Sequence, residues 1–195
     1  GLTVLTGLNP YLVGAHFLLS AVLVSLATIF FLRVKFGQRR YSRVAPLPYR
    51  IAVHVCSLLV AISVVIGVLT TGSGPHAGDA ETPRNGLDPA ILQHLHSYPG
   101  YALLAITVAL FVSARMLRLD RLQRCVALLL AAEITQIVVG IAQARLGLPE
   151  ILVGIHMVLA CVLIAAMTAV VAALRLPDDA VATPIAVPDE RLQRV

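Results

Sequence analysis

The stretch Gly7-Leu8-Asn9-Pro10-Tyr11-Leu12-Val13-Gly14-Ala15-His16 returns near the other end of the chain as Gly147-Leu148-Pro149-Glu150-Ile151-Leu152-Val153-Gly154-Ile155-His156. Glycine, leucine, leucine, valine, glycine and histidine agree at one fixed offset, and each copy opens a long apolar run. Internal repeats are common in membrane proteins, and binding sites tend to lie inside or between the repeats. The repeat therefore predicts two related halves, each with a histidine near one end of its last helix.

The composition is that of a membrane protein. Hydrophobic residues make up 58% of the 195 residues, charged residues only 13%, and the mean hydropathy is +0.89, whereas about a quarter of a soluble domain is charged. Five apolar runs are long enough to cross a bilayer core of about 30 Å as helices. These runs cover residues 11–32, 51–71, 90–114, 125–144 and 151–174. We therefore predict an all-α membrane protein, and we expect a fragment of an eight-span protein with one span from the first half and four from the second.

Basic residues are distributed very unevenly between the two sides of these spans. Thirteen of the 15 lie on one side, which the positive-inside rule assigns to the cytoplasm. They are Arg33, Lys35, Arg39, Arg40, Arg43, Arg50, Arg115, Arg118, Arg121, Arg124, Arg175, Arg191 and Arg194, while Arg84 and Arg145 lie on the other side. The net charge of +5 thus reflects topology, and no nucleic-acid binding is expected.

Three of the six histidines share one predicted depth. His16, His96 and His156 each lie about six residues into a span that runs from outside to inside, or roughly 9 Å from the outer face. Two neutral imidazoles on facing helices at one depth can ligate one haem iron. The residues four positions further on are small and would leave room for a porphyrin: Ser20, Gly100 and Ala160. The alternative is a set of histidines hydrogen-bonded between helices, and the repeated placement favours haem.

His94 competes with His96 for the same role. The two are separated by about 200° of helix rotation, so both cannot face one site. Tyr98 lies below His94 where Gly100 lies below His96, which favours His96 as the ligand. We expect His54 to be a packing residue and His76 to be a solvated loop residue.

Span four carries a polar stripe of Glu133, Gln136, Gly140 and Gln143. A hydrogen-bonded seam between helices is the interpretation we favour for it. The alternatives are a contact to a haem propionate or a proton path, for which Gln143 lies nearest the right depth.

Together these residues resemble the carboxy-terminal part of a haem A synthase of the actinobacterial type. The motifs that carry the resemblance are Thr-Gly-Leu-Asn-Pro at 6–10 before His16, Thr-Gly-Ser-Gly-Pro-His-Ala-Gly-Asp at 71–79, Gln93-x-x-His96, and Gly147-Leu148-Pro149 before His156. The resemblance covers nearly all of residues 1–175, that is, the last helix of the family's first half and its whole second half.

The resemblance implies a fold of eight helices in two four-helix bundles. Residues 1–36 would be the last helix of the first bundle, which binds the substrate haem. Residues 37–50 would be a basic cytoplasmic loop and residues 176–195 a disordered cytoplasmic tail. Residues 51–175 would form a transmembrane four-helix bundle that holds a cofactor haem b between His96 and His156.

The resemblance also implies an activity, the oxidation of the C8 methyl group of haem O to a formyl group, which makes haem A for terminal oxidases. His16 would be an axial ligand of the substrate haem. The family's other first-bundle histidine and its key glutamate lie on an earlier helix, Glu133 does not match that glutamate, and we expect no catalytic residue in this chain. The implied partners are haem O, haem O synthase, membrane lipid and an electron acceptor that the sequence does not identify.

The implied location is the plasma membrane of a bacterium, with the haem-ligating histidines near the extracytoplasmic side. Two alternatives stay open at this point. One is a one-sided b-type cytochrome that carries electrons without bond chemistry, and the other is a helical scaffold or transporter with structural histidines.

Overall fold

A computed structural model describes residues 1–37, 41–75 and 82–177. Over these residues the elements are α1 (Leu2–Leu5), α2 (Pro10–Phe36), β1 (Tyr41–Arg43), α3 (Leu47–Ser73), α4 (Pro89–Met116), α5 (Asp120–Arg145), α6 (Glu150–Ala173) and β2 (Arg175–Pro177). Helices α2 to α6 are each long and apolar enough to cross a membrane. The predicted all-α membrane protein is therefore confirmed. His76 and the tail from residue 178 onward lie outside the described residues.

Each long helix covers its predicted span to within one residue and most extend beyond it. Helices α2 and α4 begin at a proline behind a capping side chain, since Asn9 Oδ1 accepts from Tyr11 N at 3.0 Å and Asp88 Oδ1 accepts from Ala90 N at 2.8 Å. These caps satisfy backbone N–H groups that a helix start leaves without partners. At their other ends α2 and α4 include basic residues, whose long side chains have good helix propensity and can extend to water.

Helices α3 to α6 form a four-helix bundle. Helix α3 packs on α4, α4 on α5, α5 on α6, and α6 on α3. Helices α4 and α6 therefore lie on one diagonal of the bundle, and α3 and α5 lie on the other. Helix α2 stands outside this bundle and packs against α6 and α3. The largest fully buried side chains of the core are Leu122, Leu129, Val53, Val126, Val170, Thr107 and Cys56.

The two ends of the bundle differ. At one end, which we call the basic end, β1 pairs antiparallel with β2, and the Arg121 guanidinium lies 4.1 Å from the centre of the Phe36 ring. At the opposite end, which we call the histidine end, Tyr11 Oη donates to Asn85 O at 3.3 Å and Asn85 Nδ2 donates to Leu69 O at 2.8 Å. These contacts join α2, α3 and the segment before α4.

The sequence repeat is also a repeat of backbone conformation. Gly7 and Leu8 have φ values of 62° and 57°, and Gly147 and Leu148 have φ values of 75° and 60°. In each copy the leucine N–H donates at 2.8 Å to the carbonyl five residues earlier, which closes the preceding helix in a Schellman motif. The connection from α1 to α2 thus has the same backbone conformation as the connection from α5 to α6.

Candidate functional site

The imidazoles of His96 and His156 meet inside the four-helix bundle. Their ring centroids lie 6.2 Å apart with an interplanar angle of 73°. His96 is on α4 and His156 on α6, so the pair spans the diagonal of the bundle. The prediction that these two side chains approach a common point is confirmed.

A backbone carbonyl determines which nitrogen of His96 carries the proton. His96 Nδ1 lies 3.0 Å from Ser63 O on α3. A carbonyl oxygen can only accept a hydrogen bond, so Nδ1 is protonated and donates. Nε2 of the neutral ring therefore carries a lone pair, and a metal ligand held in this way has its orientation set by the partner of its other nitrogen.

His156 takes the same tautomer through a different contact. Gln136 Nε2 on α5 donates to His156 O at 3.1 Å and lies 3.2 Å from His156 Nε2. The bond to the carbonyl identifies the atom facing the ring as the amide nitrogen, because an amide oxygen could not donate there. His156 Nε2 consequently accepts, and its proton is on Nδ1.

Two glycines on the other diagonal let the rings lie close to helix backbone. A Cβ on Gly67 of α3 would lie 2.9 Å from His96 Cε1, and a Cβ on Gly140 of α5 would lie 3.1 Å from His156 Cε1. By contrast, a Cβ on Gly100, one turn beyond His96, would meet nothing within 4 Å. The space that the sequence predicts beneath His96 is therefore present.

Several buried polar atoms around the pair have no hydrogen-bond partner in the described part of the chain. They are His156 Nδ1, Gln136 Oε1, Gln143 Oε1 and Ser63 Oγ. Buried polar groups are normally paired, so a cluster of unpaired ones calls for an explanation such as a bound group. The cluster lies around the two histidines, which identifies this region as the candidate site.

The other described histidines, His16, His54 and His94, lie elsewhere. His16 is exposed on α2 and His94 is exposed on α4, so His94 does not share the face of His96, as predicted. His54 is exposed on α3, and the prediction that it packs inside the protein is wrong. Rotation about α3 explains the difference, because the neighbouring Val53 takes the buried position.

Glu133 lies deeper in the bundle, one helical turn from Gln136. The carboxyl is 3% exposed, and Thr107 Oγ1 on α4 donates to Glu133 Oε1 at 2.8 Å. The second carboxyl oxygen is buried without a partner. The preferred interpretation of Glu133 as part of a polar seam between helices is thus confirmed for α4 and α5.

The separation of the two ring centres is compatible with one metal ion bound between the imidazoles. Two imidazoles on one metal, each with a bond of about 2 Å, have ring centres roughly 6 Å apart, close to the separation observed. Within residues 1–37, 41–75 and 82–177, no three His, Cys, Asp or Glu side chains converge on one point. The pair can therefore supply two ligands, which is what a porphyrin iron requires.

Sequence reasoning missed three contributors to this site. Ser63 acts through its backbone carbonyl, which no side-chain pattern reveals. Gly67 lies in the middle of an apolar span, and an isolated helical glycine is a signal of close packing that could have found it. Gln136 was part of the polar stripe, but its position beside His156 required knowledge of which helices are neighbours.

Comparisons of this chain with protein-family models, with curated proteins and with solved structures found no match.

Proposed function

We propose that this chain binds haem b between His96 and His156 and uses it to carry electrons in a haem A synthase. The observation that carries this proposal is the histidine pair, whose ring centres are 6.2 Å apart across the bundle diagonal. Both rings are held with Nε2 unprotonated, by Ser63 O and by Gln136. That nitrogen is the one with a lone pair to give to an iron.

Each residue of the site has a separate task in this proposal. His96 and His156 would supply the two protein nitrogens that hold the haem iron, and Ser63 O orients the ring of His96. Gly67 and Gly140 allow both rings to lie against neighbouring helices. When bound, the haem supplies reversible one-electron transfer, and the apolar bundle around it keeps water away from the iron.

The reaction requires such a carrier. Converting the methyl group of haem O to a formyl group consumes one water and releases four electrons and four protons. A haem b held by His96 and His156 would supply the one-electron steps that pass these electrons to an acceptor. We assign His16 as an axial ligand of the haem O substrate, because the repeat gives it the position that His156 has in the second copy. Its exposure on α2 leaves the imidazole free for a partner.

A one-sided b-type cytochrome is the second candidate. The observation in its favour is that the described residues bring together one histidine pair, while His16 and His54 each lie exposed and apart from it. One pair at one depth serves an electron carrier as well as it serves an enzyme. Product formation separates these two functions.

The test is to measure haem A in extracted haems after the full-length protein, including any residues that precede Gly1, is expressed with haem O. We expect haem A from the parent and none from His16→Ala, while both retain bound haem b. His54→Ala is the matched control, since it removes another exposed histidine and should leave haem A formation unchanged. Haem b without haem A in the parent would favour the cytochrome. Normal haem A formation by His16→Ala would remove His16 from the substrate site.

A further inference from the structure

Gln136 is hydrogen-bonded to the nitrogen of His156 that would bind iron in the proposed function. Its amide Nε2 lies 3.2 Å from His156 Nε2, the atom that would bind iron, and also donates to His156 O at 3.1 Å. The ring cannot accept from the amide and bind a metal through the same lone pair. Haem binding and this contact therefore exclude each other at His156.

The atoms around the contact have unused hydrogen-bonding capacity. Within the described residues, Gln136 Oε1 and His156 Nδ1 are both buried without a partner. An amide that moves away from His156 Nε2 can keep its bond to the carbonyl O, and its Oε1 has unused capacity to accept a hydrogen bond. The hydrogen bond between Gln136 Nε2 and His156 Nε2 can therefore break with little net loss of hydrogen bonding.

Among the described residues, no side-chain amide covers the ring of His96 in the same way. Its Nδ1 is held by a backbone carbonyl, and that contact lies on the side of the ring away from the coordinating nitrogen. The two axial positions are therefore unequal. His96 can bind iron through Nε2 without a rearrangement, whereas the Gln136 amide covers Nε2 of His156.

We infer that Gln136 is a positioning residue that fixes the tautomer of His156 and covers its ligating nitrogen until haem enters. This inference rests on the proposed haem site and adds an order of events, in which His96 binds the iron first and His156 follows when the amide turns away. Gln136 contacts the histidine that would ligate the iron and not the haem itself, so it influences haem binding through His156.

The kinetic test adds haem b to the haem-free protein in detergent and follows the absorbance of the low-spin form. Gln136→Leu and the nearly isosteric Gln136→Met should load about two- to fivefold faster than the parent. Loss of one net hydrogen bond is worth roughly three- to tenfold, and loss of the fixed tautomer reduces the ligating population by about half. Thr135→Val is the control on α5, since Thr135 is exposed and donates to the carbonyl of Ala131 in its own helix, and it should load at the parental rate.

The direction of the change separates this role from a purely structural one, because a variant with damaged packing would load more slowly. Nitrogen-15 spectra of histidine-labelled, haem-free protein give a second readout, with the His156 signal assigned by its loss in His156→Ala. We expect the Nδ1–H tautomer in the parent and a mixture in Gln136→Leu.

Equal or slower loading by both Gln136 variants would overturn the inference, as would an Nε2–H tautomer of His156 in the parent. If the proposed function itself is wrong, neither the parent nor any of the variants would bind haem b. In that case the tautomer spectra alone decide the role of Gln136.

Discussion

Identical residues in the two copies of the repeat have different surroundings. His156 lies inside the bundle against Gln136 and Gly140, whereas His16 is exposed on α2. The position of each histidine along its helix was predictable because it follows from counting residues along an apolar run. Its surroundings were not, because helical periodicity gives the face of a residue but not the identity of the helix opposite it.

Adding a single methyl group to the glycine beside His96 should weaken haem b binding. In Gly67→Ala the new Cβ would lie 2.9 Å from His96 Cε1, so the ring must shift from its position. Overpacking of this kind costs about 1–3 kcal/mol, and we expect haem b affinity to fall by roughly tenfold. Haem titration followed by absorbance measures the change.

Gly154→Ala is the control for this substitution, since a Cβ there meets nothing within 4 Å and the residue lies only two positions from His156. It should bind haem b as the parent does. Equal affinities of Gly67→Ala and the parent would show that the ring of His96 need not lie where the structure has it.

At the scale of elements, the spans were predictable and the shorter features were not. Apolar length alone identified helices α2 to α6, because a run of about 20 apolar residues has few other stable forms in a membrane. The strands Tyr41–Arg43 and Arg175–Pro177 were missed. Each has three residues and depends on a partner far along the chain, so no local pattern reveals it.

The seam between α4 and α5 contributes stability that can be measured. Thr107→Val removes the donor to the buried Glu133 carboxyl, and leaving a buried polar group unpaired costs about 1–3 kcal/mol. We expect a lower midpoint of thermal unfolding in detergent. The double variant Thr107→Val/Glu133→Leu should recover part of the loss, because it removes both partners.

Thr135→Val serves as the matched control for this seam. Thr135 lies on α5, the helix of Glu133, is exposed, and donates to the carbonyl of Ala131 in its own helix. Its replacement should change stability by less than about 0.5 kcal/mol. A larger loss from Thr135→Val than from Thr107→Val would contradict the importance of the buried seam.

At the scale of the whole molecule, the outward-facing side chains are those of a protein in lipid. Large apolar residues are exposed along α2, among them Leu19, Leu23, Phe30 and Phe31. In water such a surface would drive aggregation, and in a bilayer it faces hydrocarbon. The polar site lies inside the bundle, so a bound group would reach it from the histidine end or between helices.

The distribution of basic residues predicts that the histidine end faces outside. Leu87 and Leu117 form a matched pair of loop residues at opposite ends, 44% and 47% exposed. In intact cells, a reagent that cannot cross the membrane should modify Leu87→Cys and spare Leu117→Cys, with the parent as background for its three natural cysteines. The opposite labelling pattern would invert the topology.

The central claim is that His96 and His156 together hold one haem b. The most direct measurement is the electron paramagnetic resonance spectrum of the oxidised, haem-loaded protein, compared among the parent, His96→Ala, His156→Ala and His94→Ala. We predict a low-spin signal in the parent and in His94→Ala, and its loss or conversion to high spin in the other two, since each lacks one axial nitrogen. A low-spin signal that survives in His96→Ala and disappears in His94→Ala would contradict the account.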